Sequence, residues 1–271
     1  MNIAYSTFAC PEWSLKQVLS HAIANRYQGV EFRCDAQHQH GVEVWTSAKE
    51  RNAIRKQIEK SDLKTACVAT GIQLTKEETV VRVIERVKLA AELEADGVRI
   101  FCGPLPDGVR SLDEIMGLLC DQLKQICEAA ALMGTRVFLE TYDTLSTGAD
   151  MARVLKAVNH PVLSACYNNL HPIRAGEPLG ITLTHLKGRI GFVHFHDGLK
   201  RADQVVICPM GKGEMPMEET LRSLVKIGYN GFLCGEWFYD QYGKDPKDTV
   251  ELFADEMRSL TARNGLVLGR A

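Results

Sequence analysis

Apolar, largely β-branched or aromatic residues recur along the chain in eight short runs: NIAYSTF (2–8), GVEFR (29–33), KTACVAT (64–70), GVRIFCG (97–103), RVFLETY (136–142), VLSACYN (162–168), IGFVHFHD (190–197) and GFLCGEW (231–237). Runs of this length and composition predict strands. The stretches between them, such as LKQVLSHAIANR, ETVVRVIERVKLAAELEA and EIMGLLCDQLKQICEAAALMG, space their apolar residues at i, i+3 and i+4 instead. That spacing predicts helices with one buried face. Strand and helix alternate throughout, which calls for a parallel sheet covered by helices. Eight such units in 271 residues fit a closed (β/α)₈ TIM barrel better than a doubly wound open sheet. Met133-Gly134 and Ile227-Gly228 mark two helix ends, where a glycine can take the left-handed conformation. Loops before the strands are short and loops after them long. With no linker, low-complexity tract or repeat beyond this rhythm, residues 1–271 are expected to form one domain.

Composition narrows the function classes. The 32 Lys and Arg against 34 Asp and Glu leave no basic excess for a general nucleic-acid or membrane-surface binder. No apolar run approaches the roughly 18 residues that span a bilayer, and MNIAYSTFACPEW lacks the basic and apolar regions of a leader, so a cytoplasmic location is expected. The nine cysteines are odd in number, form no C-x-x-C pair and sit mostly inside apolar runs, so they read as small buried hydrophobes.

In an α/β barrel the chemistry gathers at the C-terminal strand ends. Four ends stand out here: RVFLETYD with Glu140, VLSACYNNLHP with Asn168 and His171, FVHFHDG with His194, His196 and Asp197, and GFLCGEWFYD with Glu236. A carboxylate or imidazole buried at the end of an apolar strand costs several kcal/mol unless it is paired or metal-bound. Glu140, His194 and Glu236, converging from three strands, therefore call for one divalent cation. An oxygen-rich set with one nitrogen suits Mn²⁺, Mg²⁺, Co²⁺ or Zn²⁺ and does not choose between them. His194 and His196 are two apart and share a strand face, so both would point inward. Glu31 and Arg33 also share a face and are expected to pair with each other, while Arg99 reads as a strand residue paired with a neighbouring carboxylate.

These residues resemble the sugar phosphate isomerase/epimerase family of xylose-isomerase-like TIM barrels over nearly the whole chain. GVEFRCDAQHQHGVE, FCGPLPDGV and FLETYD match its second, fourth and fifth strand ends. YNNLHPIRAGEP is similar to its D-x-x-H element, FVHFHD to its H-x-x-D element, MGKGEMPM to its G-x-G turn, and CGEW to its final glutamate. The resemblance implies Glu140, Asn168, His194 and Glu236 as metal ligands and selects His194 over His196. Asn168 stands where the family has an aspartate, which removes one negative charge and should weaken the hold on a dication. A lysine is common at the position of His196.

The resemblance also implies a divalent-metal-dependent isomerase or epimerase that acts on a keto sugar or related polyol through an enediolate. Glu140 and Glu236 would carry the protons as catalytic residues, and His171 would hydrogen-bond a substrate oxygen. His196, His40 and Arg99 are further expected substrate contacts, and Trp13 and Trp237 are candidates for the pocket wall. Elimination of water from the same enediolate, as in a dehydratase, and a metal-poor member with a binding role are the alternatives. The expected partner is a small carbohydrate, with no nucleic acid or membrane. Barrels of this type often pair, so a homodimer is one expectation.

Overall fold

A computed structural model describes residues 1–76, 79–201, 204–242 and 245–269. All eight expected strands form: β1 (Asn2–Ser6), β2 (Gly29–Arg33), β3 (Lys64–Gln73), β4 (Val98–Phe101), β5 (Val137–Glu140), β6 (Leu163–Asn168), β7 (Ile190–His194) and, after a separate pair β8 (Asp197–Arg201) and β9 (Gln204–Cys208), β10 (Phe232–Gly235). Their order, β1-β10-β7-β6-β5-β4-β3-β2, closes a barrel, and every pairing around it is parallel.

Helices α1 (Leu15–Ala24), α2 (Ala48–Lys60), α3 (Thr79–Glu92), α4 (Leu112–Leu132), α5 (Gly148–Val158), the short α6 (His171–Arg174), α7 (Leu179–Leu186), α8 (Met217–Lys226) and α9 (Pro246–Arg263) occupy the connections. Ser14 with Gln17, and Ser47 with Glu50, close capping boxes that fix the starts of α1 and α2. At the ends of α4 and α8, Gly134 and Gly228 take φ +71° and +84°, as the sequence pattern predicts. No described helix is long and apolar enough to cross a membrane.

The core has two layers. Between sheet and helices lies one large apolar cluster, while inside the barrel Ala4, Ala66, Cys67, Phe138, Cys166, Phe192, Phe232 and Cys234 form a second, smaller one. Phe138 and Phe192 stack at 5.6 Å in this inner plug. Strand alternation then decides what stands above it. Two residues beyond Phe138, Cys166, Phe192 and Cys234 come Glu140, Asn168, His194 and Glu236. The same face that is apolar at the bottom of each strand is thus polar at its C-terminal end.

β8 (Asp197–Arg201) and β9 (Gln204–Cys208) form an antiparallel hairpin outside the barrel that the hydrophobic pattern did not predict. It is anchored by Asp197, which accepts from the backbone N–H groups of Gly198 (2.8 Å), Gly211 (3.0 Å), Gly213 (2.8 Å) and Met215 (3.3 Å). Charge-assisted bonds of this kind contribute about 1.5–3 kcal/mol each when a partner is lost. Asp197→Asn places an amide NH₂ against several N–H donors. It is expected to lower stability by about 2 kcal/mol and to remove amide-exchange protection first from residues 197–201 and 204–215; a loss below about 0.5 kcal/mol would show that Asp197 is not the anchor.

Candidate functional site

The C-terminal mouth opens into a cavity of about 680 Å³ whose lining includes Arg99, Glu140, Asn168, His171, His196 and Glu236. His194 lies just below it and is fully buried. Its Nδ1 is 3.1 Å from Glu140 Oε1 and 3.2 Å from Glu236 Oε2. Its Nε2 faces the other way, 3.0 Å from Glu31 Oε1. Burial penalises a charged His194 ring, yet Glu236, Glu31 and Glu140 outweigh that penalty and hold its pKa well above the ordinary histidine value. Burial also works against the charges of Glu140 and Glu236, but His194 and Arg99 overcome it and keep both carboxyls below the usual range.

Arg99 is the second cation of the cluster. Fully buried, it lies with Nε 3.1 Å from Glu140 Oε2 and Nη2 3.3 Å from Glu236 Oε1, and its Nη1 donates to the Thr70 carbonyl at 2.6 Å. Glu140 Oε2 and Arg99 Nε are close without the alignment of a hydrogen bond, so this buried oxygen lacks a hydrogen-bond partner. The expected carboxylate pairing of Arg99 is present, with two carboxylates rather than one.

Asn168 completes the ring and has a fixed orientation. Its Oδ1 accepts from Leu170 N (3.1 Å), which only an oxygen can do, so its Nδ2 is turned inward. That nitrogen donates to Glu140 Oε1 at 2.9 Å and lies 3.2 Å from His196 Nε2. His196 also approaches Glu236 Oε2 at 3.5 Å. The neighbouring Asn169 holds the His196 backbone through both its amide atoms.

A divalent cation fits this donor set in type and charge. Three carboxylates, Glu31, Glu140 and Glu236, face the Arg99 guanidinium and a His194 ring whose raised pKa favours its protonated form, so the cluster carries one net negative charge, and two when a dication takes the place of the ring proton. Among the described residues His194 belongs to every candidate ligand group: with Glu31 and Cys234, with Glu140 and Cys166, and with His196 and Glu236. Burial pushes the Cys166 thiol up to about 12 and Cys234 well above its usual value, so the thiols are protonated and poor donors. Glu140, His194 and Glu236 remain as donors, through Glu140 Oε1 and Glu236 Oε2, which lie 3.1 and 3.2 Å from His194 Nδ1, while Glu140 Oε2 faces Arg99. Asn168 fits less well, because its oxygen is committed to Leu170.

The other sequence-based candidates divide. His171 begins α6, lines the cavity edge-on to Tyr142 at 4.5 Å, and is pushed down to about 4 by burial, so it offers a neutral ring. His40 does not reach the cavity: Val42 N donates to its Nδ1 at 3.0 Å, and its Nε2 is 3.2 Å from Thr7 Oγ1. Both ring nitrogens are therefore used within the fold. Glu31 and Arg33 do not pair with each other, because Glu31 turns to His194 and Arg33 to the Ala69 carbonyl at 3.3 Å. Trp13 packs on His21 at 4.3 Å away from the cavity. Trp237 edges the cavity but is 1% exposed, stacked on Tyr242 and bonded to Thr249, so it is mainly packing.

Glu31 is the site residue that sequence reasoning assigned elsewhere. A carboxylate behind a ligand histidine fixes its tautomer and ring orientation. A lone glutamate in the buried run GVEFR, fully excluded from solvent, is the signal that marked it.

Comparison with known proteins agrees with this architecture. The sequence profile described as "Xylose isomerase-like TIM barrel" matches residues 21–263. Fructoselysine 3-epimerase of Escherichia coli O157:H7 is 24% identical over 151 residues, which is 54% of this chain and 54% of that protein. The chain thus matches about half the length of that curated relative. Among solved structures, the IOLI protein with a binding zinc atom superposes with a TM-score of 0.84 at 14% identity, over 97% of this chain and 99% of that one. The 3-keto-D-glucoside 4-epimerase YcjR from E. coli superposes with a TM-score of 0.76 at 16% identity, over 97% and 99%. At such identities the two structures establish a shared fold.

Proposed function

This chain belongs to the xylose isomerase-like TIM barrels, and from that premise we propose that it is a divalent-metal-dependent isomerase or epimerase of a keto sugar or related polyol. The observation that carries the reading is the convergence on His194 Nδ1 of Glu140 at 3.1 Å and Glu236 at 3.2 Å, with Glu31 behind the ring. The sugar-epimerase relatives support the substrate class.

Glu140, His194 and Glu236 would hold the ion, with Asn168 as a fourth contact only if its amide turns. A dication there supplies Lewis-acid polarisation of the substrate carbonyl and stabilises negative charge developing on its oxygen. The chain's own residues do the rest. Glu140 and Glu236 both border the cavity and both are ionised, as a base that accepts a carbon-bound proton must be. An ionised carboxylate that takes the proton from one carbon and returns it to the neighbouring one would isomerise the sugar, whereas epimerisation would need the second carboxyl to enter protonated from solvent and deliver its own proton to the opposite face while the first keeps the proton it took. His171 and His196 border the same space and orient substrate hydroxyls. Arg99 keeps the two glutamates apart and fixed.

Metal analysis tests the reading. Protein purified without chelator is expected to carry close to one ion per chain, and added Mn²⁺ is expected to raise the melting temperature. Asn168→Asp restores a carboxylate beside Glu140 Oε1, so the metal-free variant is expected to melt lower and to bind Mn²⁺ about tenfold tighter. An ion content well below one, with no thermal response to Mn²⁺, would overturn the metal-dependent reading.

A further inference from the structure

His196 sits closer to the metal donors than a substrate contact requires. β7 ends at His194, yet Phe195 N still donates to the Cys234 carbonyl at 2.8 Å and the alternation carries on: Phe195 joins the outer apolar core and His196 turns inward. The Asn169 amide holds the His196 backbone there at 2.8 and 2.9 Å. The residue is 2% exposed. Its Nδ1 is buried with no partner among the described residues, so polar contacts reach the ring only at Nε2.

Those contacts suit a metal ligand. His194, His196 and Glu236 each place one donor atom within 4.8 Å of the other two. Donors about 2.0–2.2 Å from one ion in a tetrahedral set stand about 3.3–3.6 Å apart. The edges here are 3.1 Å from His194 Nδ1 to Glu140 Oε1, 3.2 Å from His194 Nδ1 to Glu236 Oε2, and 3.5 Å from His196 Nε2 to Glu236 Oε2. Arg99 faces Glu140 Oε2 and Glu236 Oε1, which leaves each glutamate one oxygen for an ion. Single-oxygen contacts from both favour a low coordination number.

Asn168 fixes the kind of nitrogen that His196 presents. With its oxygen held by Leu170 N, its inward NH₂ group has two hydrogens and two acceptors in reach, Glu140 Oε1 at 2.9 Å and His196 Nε2 at 3.2 Å. Nε2 therefore carries the lone pair and Nδ1 the ring proton, the tautomer that a ligand through Nε2 needs. The amide nitrogen lies between the two atoms that a cation would bridge. An aspartate at 168 would instead accept a hydrogen from Nε2 and bind the ion itself.

We propose that His196 Nε2 is the fourth ligand of the ion, in the role that a carboxylate at position 168 would fill, giving a set of two glutamates and two histidines. The proposal rests on the metal-dependent reading of the site and adds its ligand set and class of ion. With one carboxylate exchanged for an imidazole, the set suits a borderline dication such as Zn²⁺ or Co²⁺ rather than Mg²⁺ or Mn²⁺. The ion exchanges the two hydrogen bonds of the Asn168 NH₂ group for two metal–donor bonds, and no covalent bond breaks. His171 remains as the neutral ring for a substrate hydroxyl.

¹⁵N NMR of the histidine rings tests it in the wild-type chain. On addition of Zn²⁺, two of the eight histidines are expected to move one ring nitrogen to the metal-bound position, Nδ1 in one and Nε2 in the other. Calorimetric titration with Zn²⁺ and Mn²⁺ adds the energetics. Zn²⁺ outbinds Mn²⁺ at most sites, so the readout is the change in their ratio. His196→Gln is expected to weaken Zn²⁺ about 10–100-fold and Mn²⁺ less than about threefold. In an Asn168→Asp background the same substitution should change Zn²⁺ affinity less than about threefold, because the aspartate has taken the fourth place. A single shifted histidine, or equal Zn²⁺ affinity with and without His196, overturns the proposal and leaves the three-residue metal reading standing. Failure of the folded wild type to bind Zn²⁺ or Mn²⁺ at all removes that reading, and this one with it.

Discussion

Replacing Arg99 with methionine is expected to destabilise the metal-free protein by about 3–5 kcal/mol, the range seen when one partner of a buried ion pair is removed. The side chain is fully buried and is the guanidinium within 3.3 Å of both Glu140 and Glu236. Burial opposes its charge, but those carboxylates and Glu31 more than compensate and raise its pKa above the ordinary arginine value. Methionine fills much of the volume yet leaves Glu140 and Glu236 without the guanidinium's share of their counter-charge, with the His194 ring still between them. For a chain of 271 residues the loss corresponds to a fall in melting temperature of about 5–10 °C. Added Mn²⁺ should recover more of it in Arg99→Met than it adds to the wild type, because a dication takes over the role of the missing guanidinium. A fall of less than about 1 kcal/mol, or no extra gain with metal, would show that Arg99 does not balance this cluster.

Glu236→Gln is expected to slow hydrogen exchange at the reacting carbon of a bound keto sugar by about 10²–10⁴-fold, the usual scale for loss of a positioned general base. The amide keeps the shape of the side chain and cannot accept the proton. Glu236 is also the most exposed of the cluster's glutamates, with a side chain 17% accessible against 2% for Glu140. The variant should therefore cost less stability than Glu140→Gln, and exchange measured at saturating Mn²⁺, with bound metal counted, separates loss of the base from loss of a ligand. Glu140→Gln removes a donor that His194 Nδ1 and Asn168 Nδ2 both approach, so it should lose metal as well as rate. If Glu236→Gln kept more than a tenth of the wild-type exchange, the assignment of Glu236 as a base would be wrong.

The barrel was legible because its signals are local and periodic. Eight apolar runs alternating with helical spacing left one economical closure, and helix-ending glycines such as Gly134 and Gly228 agreed with it. The convergence of Glu140, Asn168, His194 and Glu236 was legible for a related reason. Each sits two residues beyond an inward-facing apolar residue on its own strand. What the pattern did not carry were relations between distant strands. Glu31 pairs with His194 across 163 residues, and no spacing within GVEFR distinguishes that partner from Arg33 two positions away. The hairpin at 197–208 was missed because its pairing depends on the Asp197 acceptor and the turn at 211–215 rather than on alternation. His40 resembles a binding histidine in sequence, and only the fold shows that Thr7 and Val42 satisfy it. The departure at Asn168 was visible as a lost charge, whereas the inward turn of its amide nitrogen depends on Leu170.

The most direct measurement is NMR of keto sugars and their terminally oxidised or phosphorylated forms, incubated with the metal-loaded protein in D₂O. Deuterium is expected to enter the carbon beside the carbonyl, with the epimer or isomer accumulating, and with both processes lost in Glu236→Gln. Deuterium uptake followed by an absorbing enone would place the same enolisation in an elimination instead. No exchange with any of these ketoses, in folded protein carrying its ion between Glu140, His194 and Glu236, would contradict the assignment of this cluster as a proton-transfer site.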